Sequence, residues 1–384
     1  MFIRFFLNMV APNNKTAVRF DALTGIRAIA AIMVFVYHFR KFWREDIPDW
    51  LLSFFNECHT GVSVFFVLSG FLIAYTYGEK PLRSRKDYMK YILVRFARIF
   101  PVYLLILSVK YIDTGFPSSK ETILNYTLVK GLSDKYTLTG IPQSWSLTVE
   151  LCFYILAPFL FLLLRKSVLK TALALLLLAL ISLGIGYGWH SVNGNPGKYF
   201  YDWFFIFNTT FMGRSAEFLA GMLLANFVSG NMKQLPMLSK KYNTITGGLL
   251  MVACIYLLSF FEKDIYSHGT DTIPGLLIRN ILLPFVTIRF FYGLIIEKTL
   301  LQKFLSFKWM VLLGNASYIF YLIHINYGYS VLEKWKVFPD KNFIMLWTVS
   351  VILYLLIEKP SYNFFKKLIR QNKKAPQIAE PLIL

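Results

Sequence analysis

Arg27 and His38 are the first pair of residues in this sequence that ask for a chemical reason. Eleven positions apart on a helix, they sit three turns plus about 20° from one another, with a rise of ~16 Å. They share one face of an otherwise apolar segment, Asp21-Ala-Leu-Thr-Gly-Ile-Arg27 through Tyr37-His38. An ionisable side chain within a membrane-spanning helix costs at least ~2.5 kcal/mol at mid-bilayer, so each one needs a partner or a task. Two readings are open: interfacial, with Arg27 snorkelling to one headgroup layer and His38 at the other, or catalytic, with the shared face guiding a substrate to the imidazole.

Further along, Arg95-Phe-Ala-Arg98 precedes Ile99-Phe-Pro101. The two arginines share a helical face at the cytoplasmic entrance of a third helix, in a run with Lys80, Arg83, Arg85, Lys86 and Lys90. Attraction to anionic lipid accounts for most of the run. A paired guanidinium fork also holds phosphates bidentately, as lysine does not, so a phosphorylated cytosolic substrate is the sharper expectation. Gln143-Ser-Trp145-Ser146-Leu-Thr-Val-Glu150 opens a fourth helix. Ser144 or Ser146 is placed to cap it, while Glu150 falls a turn into the apolar run at about the depth of His38. A carboxylate there would orient the imidazole as in general-base pairs. Arg214-Ser-Ala-Glu217 has the i,i+3 spacing of a structural ion pair. Ser317, Tyr318, Tyr321 and His324 share a later helix, where interhelical hydrogen bonding is the simple role for a lone histidine. Gly61, Ser63, Ser69 and Gly70 read as positions for close helix packing.

These residues have to be held by membrane helices. The chain has 384 residues, 56% hydrophobic, 18% aromatic and 16% charged, against about 25% charged in a soluble domain. Yet 41 Lys+Arg against 21 Asp+Glu leave a formal charge of +20. Disorder and nucleic-acid binding both fit badly, since the first needs low hydrophobicity and the second a soluble scaffold. A spanning helix needs ~20 mostly apolar residues, and that rule predicts an all-α bundle of about ten, near 24–38, 60–78, 99–112, 147–164, 171–189, 213–229, 244–261, 276–296, 310–330 and 343–357. The alternating segments 1–23, 79–98, 165–170, 230–243, 297–309 and 358–384 hold more than twice the Lys and Arg of the loops between them. The positive-inside rule then predicts that both ends face the cytoplasm. The stretch Phe5–Val10 is too short for a signal-peptide core, so the first helix would serve as insertion signal. Residues 1–370 read as one transmembrane domain and 371–384 as a disordered cytoplasmic tail. No Gly-x-Ser-x-Gly elbow, P-loop, dinucleotide fingerprint or His-Glu-x-x-His occurs, and Cys58, Cys152 and Cys254 are too few and scattered for a disulfide framework or zinc site. No metal and no bound cofactor are expected.

In order along the chain, Arg27 with His38, Gly61-Val-Ser-Val-Phe-Phe-Val-Leu-Ser-Gly-Phe-Leu-Ile73, Arg95-x-x-Arg98-Ile-x-Pro101, Ser144-Trp-Ser-Leu-x-x-Glu150, Arg214-x-x-Glu217-Phe-x-x-Gly221, Ser317-Tyr-x-x-Tyr-Leu-x-His324 and Glu358-x-Pro360 resemble the membrane-bound acyltransferase-3 family. The resemblance runs nearly end to end. It departs at Asp21-Ala-Leu-Thr-Gly, where many relatives have Gly-Leu-Arg-Gly, and the C-terminal hydrolase-like domain that many relatives carry is not expected here. It implies a ten-helix bundle in the bacterial cytoplasmic (inner) membrane that moves an acyl group, usually acetyl, from acyl-CoA to a hydroxyl, as in O-acetyltransferases of cell-surface glycans. It also implies that His38 and Arg27 are essential and that Arg95 and Arg98 meet the CoA phosphates.

The mechanism expected on that basis has acetyl-CoA as co-substrate, entering from the cytoplasm along Arg95, Arg98 and Arg27. His38, with Glu150 as a possible orienting partner, takes the proton of the acceptor hydroxyl; an acyl-His intermediate is equally compatible. Tyr318 or His324 would contact the oxyanion, and Trp145 and Ser146 the substrate. Two other readings stay open: an exporter of glycans or small acids that uses His38, Glu150, Arg214 and Glu217 as a proton relay, and an acyltransferase with a small-molecule or lipid acceptor. The aromatic run Tyr199-Phe-Tyr-Asp-Trp-Phe-Phe205 is either a sugar-stacking surface or an interfacial belt.

Overall fold

Apolar runs that are hydrophobic on every side have no strand period to follow, and the computed structural model is helical throughout. It describes residues 20–79, 82, 84–193, 203–235, 238–239, 241–262, 267–325 and 339–371; the N-terminal 19 residues, most of the expected tail and residues 199–202 of the aromatic run lie outside them. No strand occurs among the described residues. The helices are α1 (Asp21–Phe39), α2 (Asp49–Asn56), α3 (Gly61–Tyr77), α4 (Arg85–Thr114), α5 (Ser119–Tyr126), α6 (Trp145–Lys166), α7 (Val168–Asn193), α8 (Trp203–Thr209) and α9 (Phe211–Val228). They continue with α10 (Asn243–Ser259), α11 (Ile273–Leu277), α12 (Leu283–Ile296), α13 (Leu300–Leu305), α14 (Lys308–Ile323), α15 (Pro339–Leu353) and α16 (Lys359–Gln371).

Among the described residues, each apolar segment read from hydropathy overlaps helical structure. Seven stretches among the described residues are long and apolar enough to cross a bilayer: Asp21–Trp43, Asp49–Tyr77, Arg85–Thr114, Pro142–Lys166, Val168–Gly188, Ile273–Ile296 and Asn342–Leu368. Of the other three, α10 has 17 residues and α14 has 16, while α9 dilutes its hydropathy with Arg214, Glu217 and Asn226. The chain is a multi-pass membrane protein.

Three local expectations are corrected. The third helix starts at Arg85 rather than near residue 99, because Ser84 caps it: its Oγ accepts from Asp87 N at 3.1 Å and donates to Asp87 Oδ2 at 2.9 Å. Arg95 and Arg98 therefore lie well inside α4, both buried, and not at its mouth. Neither Ser144 nor Ser146 caps α6. Their hydroxyls donate backwards, to Ile141 O at 2.7 Å and Gln143 O at 3.0 Å. Gln371 closes α16 instead of opening a tail.

Two close seams set the core. A methyl group on Gly314 would fall 1.9 Å from Thr24 O, and one on Gly25 2.0 Å from Leu305 O, so α14 and α13 press backbone to backbone on α1. Gly221 on α9 and Gly70 on α3 make the second seam, against Val67 O and Phe218 O. Without a hydrophobic drive between helices in lipid, such backbone contact supplies the packing energy. Two π-helical turns, Ile278–Leu282 and Tyr354–Glu358, each carry a charged side chain into the interior: Arg279 is 2% exposed and Glu358 5%.

Candidate functional site

Helices whose outer faces meet lipid must turn their ionisable groups inward, and α1, α3, α4, α6 and α14 do so around one cavity. Arg27, Arg98, Glu150, Ser146 and Tyr318 line it, five of the residues singled out in the sequence. Tyr321, Ser69 and Tyr154 join them. Arg27 is 7% exposed, and its Nη1 is buried with no hydrogen-bond partner. The same holds for Arg98 Nη2, which lies 3.9 Å from Glu358 Oε1. Two guanidinium groups thus keep unspent N–H bonds in a low-dielectric space, a preorganised cradle for a carbonyl or phosphate oxygen.

Glu150 is occupied elsewhere than expected. Its Oε1 accepts from Ser69 Oγ at 2.6 Å and from Tyr154 OH, one turn along α6. The neighbour of His38 is instead His324, brought across by the seam between α1 and α14, with Nε2 3.1 Å from His38 Nδ1. Backbone carbonyls decide where the protons lie when both rings are neutral. His324 Nδ1 faces Tyr321 O at 2.8 Å, so it must be the protonated nitrogen and its Nε2 must accept. His38 Nδ1 faces that acceptor and Val34 O at 2.8 Å, so it carries the hydrogen. The basic lone pair of His38 is therefore on Nε2. The Tyr321 hydroxyl lines the cavity and exchanges a 2.9 Å hydrogen bond with Ser146 Oγ, so the histidine pair stands one helical turn beyond the cavity wall.

The remaining expected residues sit apart from the cavity or are committed. Arg95 donates to Tyr77 OH at 3.1 Å and stacks on that ring, so it forms no common fork with Arg98. Tyr318 OH donates to Ile99 O at 2.8 Å, and the His324 Nδ1 hydrogen goes to Tyr321 O; neither hydrogen points at an oxyanion here. Arg214 and Glu217 form a bidentate pair, both contacts at 2.7 Å, extended by Ser63 Oγ at 3.1 Å and Asn208 O at 3.0 Å. Trp145 lies against this pair, its ring centroid 5.8 Å from the Arg214 guanidinium carbon. Ser69, Tyr154 and Glu358 escaped sequence reasoning as site residues. A glutamate ending an apolar run, and a tyrosine four residues after a buried glutamate, were the available signals.

The loop ahead of α6 ties this wall together. Gln143 Nε2 donates to Tyr321 O at 3.0 Å and Leu322 O at 2.7 Å. Just upstream, fully buried Lys130 donates to Ile141 O at 2.7 Å and to Thr139 O. Burial, with the Lys110 charge nearby, pulls the Lys130 ammonium down from 10.5 to about 7. A neutral amine offers two hydrogens to two carbonyls. Because the folded pKa is the lower one, unfolding takes up a proton between about pH 7 and 10.5, and the stability tied to this group rises with pH across that window. Melting temperatures followed through the window should climb in the wild type and climb less in Lys130→Met; equal slopes would remove Lys130 as the cause.

The family model described as an acyltransferase domain matches residues 20–357. The O-acetyltransferase OatA of Staphylococcus aureus (strain NCTC 8325 / PS 47) is 24% identical over 370 residues, covering 91% of this chain and 57% of OatA. The acyltransferase MdmB of Streptomyces mycarofaciens is 30% identical over 167 residues, covering 39% of this chain and 41% of MdmB. The chain thus spans little more than half the length of the O-acetyltransferase it matches. No solved structure matches it.

Proposed function

This chain belongs to the membrane acyltransferase-3 family, and from that premise we propose that it moves an acetyl group from acetyl-CoA to a hydroxyl of a cell-surface or lipid-linked glycan. We place it in the cytoplasmic membrane with ten crossings and both ends inside, a reading supported by the bias of Lys and Arg between alternating segments. The observation that carries the reaction is the His38–His324 pair, protonated so that His38 Nε2 is basic, one turn from a cavity holding the unpaired N–H groups of Arg27 and Arg98.

In this reaction the acceptor O–H gives its proton to His38 Nε2 as its oxygen attacks the thioester carbonyl. The carbonyl oxygen gains negative charge as the new C–O bond forms; Arg27, a rise of ~16 Å from His38 along α1, lies beyond that oxygen and meets a polar group farther back along the acyl-CoA. The C–S bond then breaks, and the departing thiolate takes the proton back from His38. Arg98 holds a polar group of the acyl-CoA, and Glu358 keeps that guanidinium from collapsing onto lipid phosphate. Ser69 and Tyr154 fix Glu150 as a stationary countercharge to Arg27.

Purified protein in nanodiscs, given radiolabelled acetyl-CoA and an oligosaccharide acceptor, should release CoA in step with acetyl ester formation. Thioester loss without ester, or neither, would reject the reading. Arg98→Lys keeps the charge but loses the planar fork, so acetyl-CoA affinity should drop about tenfold, as for the loss of one charge-assisted hydrogen bond. Unchanged affinity would remove Arg98 from the donor site.

A further inference from the structure

A second cavity opens just past His38. It is lined by Arg40, Lys41 and Arg44 of the turn that continues α1, by Ser53 and Asn56 of α2, and by Glu262, and holds about 190 Å³. Asn56 is 2% exposed; its Nδ2 is spent on Glu262 Oε1 at 2.9 Å and Ser267 O at 2.7 Å. Its Oδ1 is buried with no hydrogen-bond partner beside the cavity that Asn56 lines, and so calls for a donor. Among the described residues, three basic side chains and one carboxylate line the cavity, and burial holds the Glu262 carboxyl above the usual range. The cavity also stands close to the chemistry: the Arg40 guanidinium lies 4.7 Å over the Tyr37 ring, whose centroid is 4.5 Å from that of His38.

We propose that this cavity is the acceptor subsite, and that it takes a sugar bearing a carboxylate or phosphate beside a free hydroxyl. The anion sits among Arg40, Lys41 and Arg44, where guanidinium forks grip carboxylate and phosphate alike. A hydroxyl of the same sugar donates to Asn56 Oδ1. One ring width of aromatic surface separates this anchor from His38, so another hydroxyl of the bound glycan comes within reach of the imidazole. The assignment rests on the transferase reading above for its name as an acceptor site, but its recognition chemistry can be measured without turnover.

The probes are methyl β-D-glucuronide, glucose 1-phosphate, methyl β-D-glucoside and inorganic phosphate, titrated calorimetrically into the full chain in zwitterionic nanodiscs. The two anionic sugars should bind at least about tenfold tighter than the glucoside and than phosphate alone. Arg44→Gln, at an exposed position, should cut that preference about tenfold, with Arg44→Lys retaining part of it. Equal binding of glucoside and glucuronide, or full preference in Arg44→Gln, would overturn the subsite. So would inorganic phosphate matching the sugars, which would leave an ion site only. Displacement of both sugars on moving to phosphatidylglycerol nanodiscs would reassign the cations to lipid headgroups and overturn it as well. If the sugars bind selectively yet never acquire labelled acetyl, the anion site stands and the transferase reading falls.

Discussion

His38→Ala is expected to lower acetyl transfer by about 10²–10⁴-fold, the range that a positioned proton-transfer group contributes. The loss should fall on turnover and leave acetyl-CoA binding intact, because the unpaired N–H groups of Arg27 and Arg98 lie on the cavity side of the site. His324→Ala should cost less, since Val34 O alone still receives the Nδ1 hydrogen of His38. The measurement is the single-turnover rate of ester formation, with the melting curve of each variant as a control for folding. A His38→Ala protein that folds and transfers at the wild-type rate would place the chemistry elsewhere.

The second large effect is on stability. Arg214→Ala leaves Glu217, which has no exposed surface, as a buried carboxylate without its guanidinium. Breaking such a pair costs about 3–5 kcal/mol, enough to unfold many membrane bundles in mild detergent. The double variant Arg214→Met with Glu217→Leu removes both charges and should recover much of the loss, because an apolar pair of similar volume escapes the desolvation cost. Recovery should be partial, as Ser63 Oγ and Asn208 O lose the donor they now face. Denaturation midpoints of the two proteins decide the matter: a single variant as stable as wild type would mean that water or lipid already solvates Glu217.

Much of this architecture was legible because lipid is a severe solvent. Apolar runs marked the helices, and the rule that charge must turn inward singled out Arg27, Arg98 and Glu150, which the structure brings to one cavity. What could not be read was rotation. Glu150 was the expected neighbour of His38, but depth alone does not fix which faces meet; the outcome depends on Gly314, which lets the backbones of α1 and α14 meet and brings His324 to α1. The same limit applied to Arg95 and Arg98. Their i,i+3 spacing was visible, but the burial of one under Tyr77 and the other beside Glu358 comes from where α3 and the π-helical turn Tyr354–Glu358 meet α4. Ser69 looked like a packing residue because a serine serving a carboxylate and a serine filling a groove read identically in sequence.

The π-helical turn at Tyr354–Glu358 has a bearing on how relatives are compared. Such a turn contains one residue more than the α-helix it interrupts, and each residue rotates a helix by about 100°. The inward aim of Glu358 therefore depends on a count as much as on an amino-acid type. In a homologue lacking that surplus residue, a glutamate in the aligned column would point away from Arg98, and the acid facing that guanidinium would have to be sought one position away.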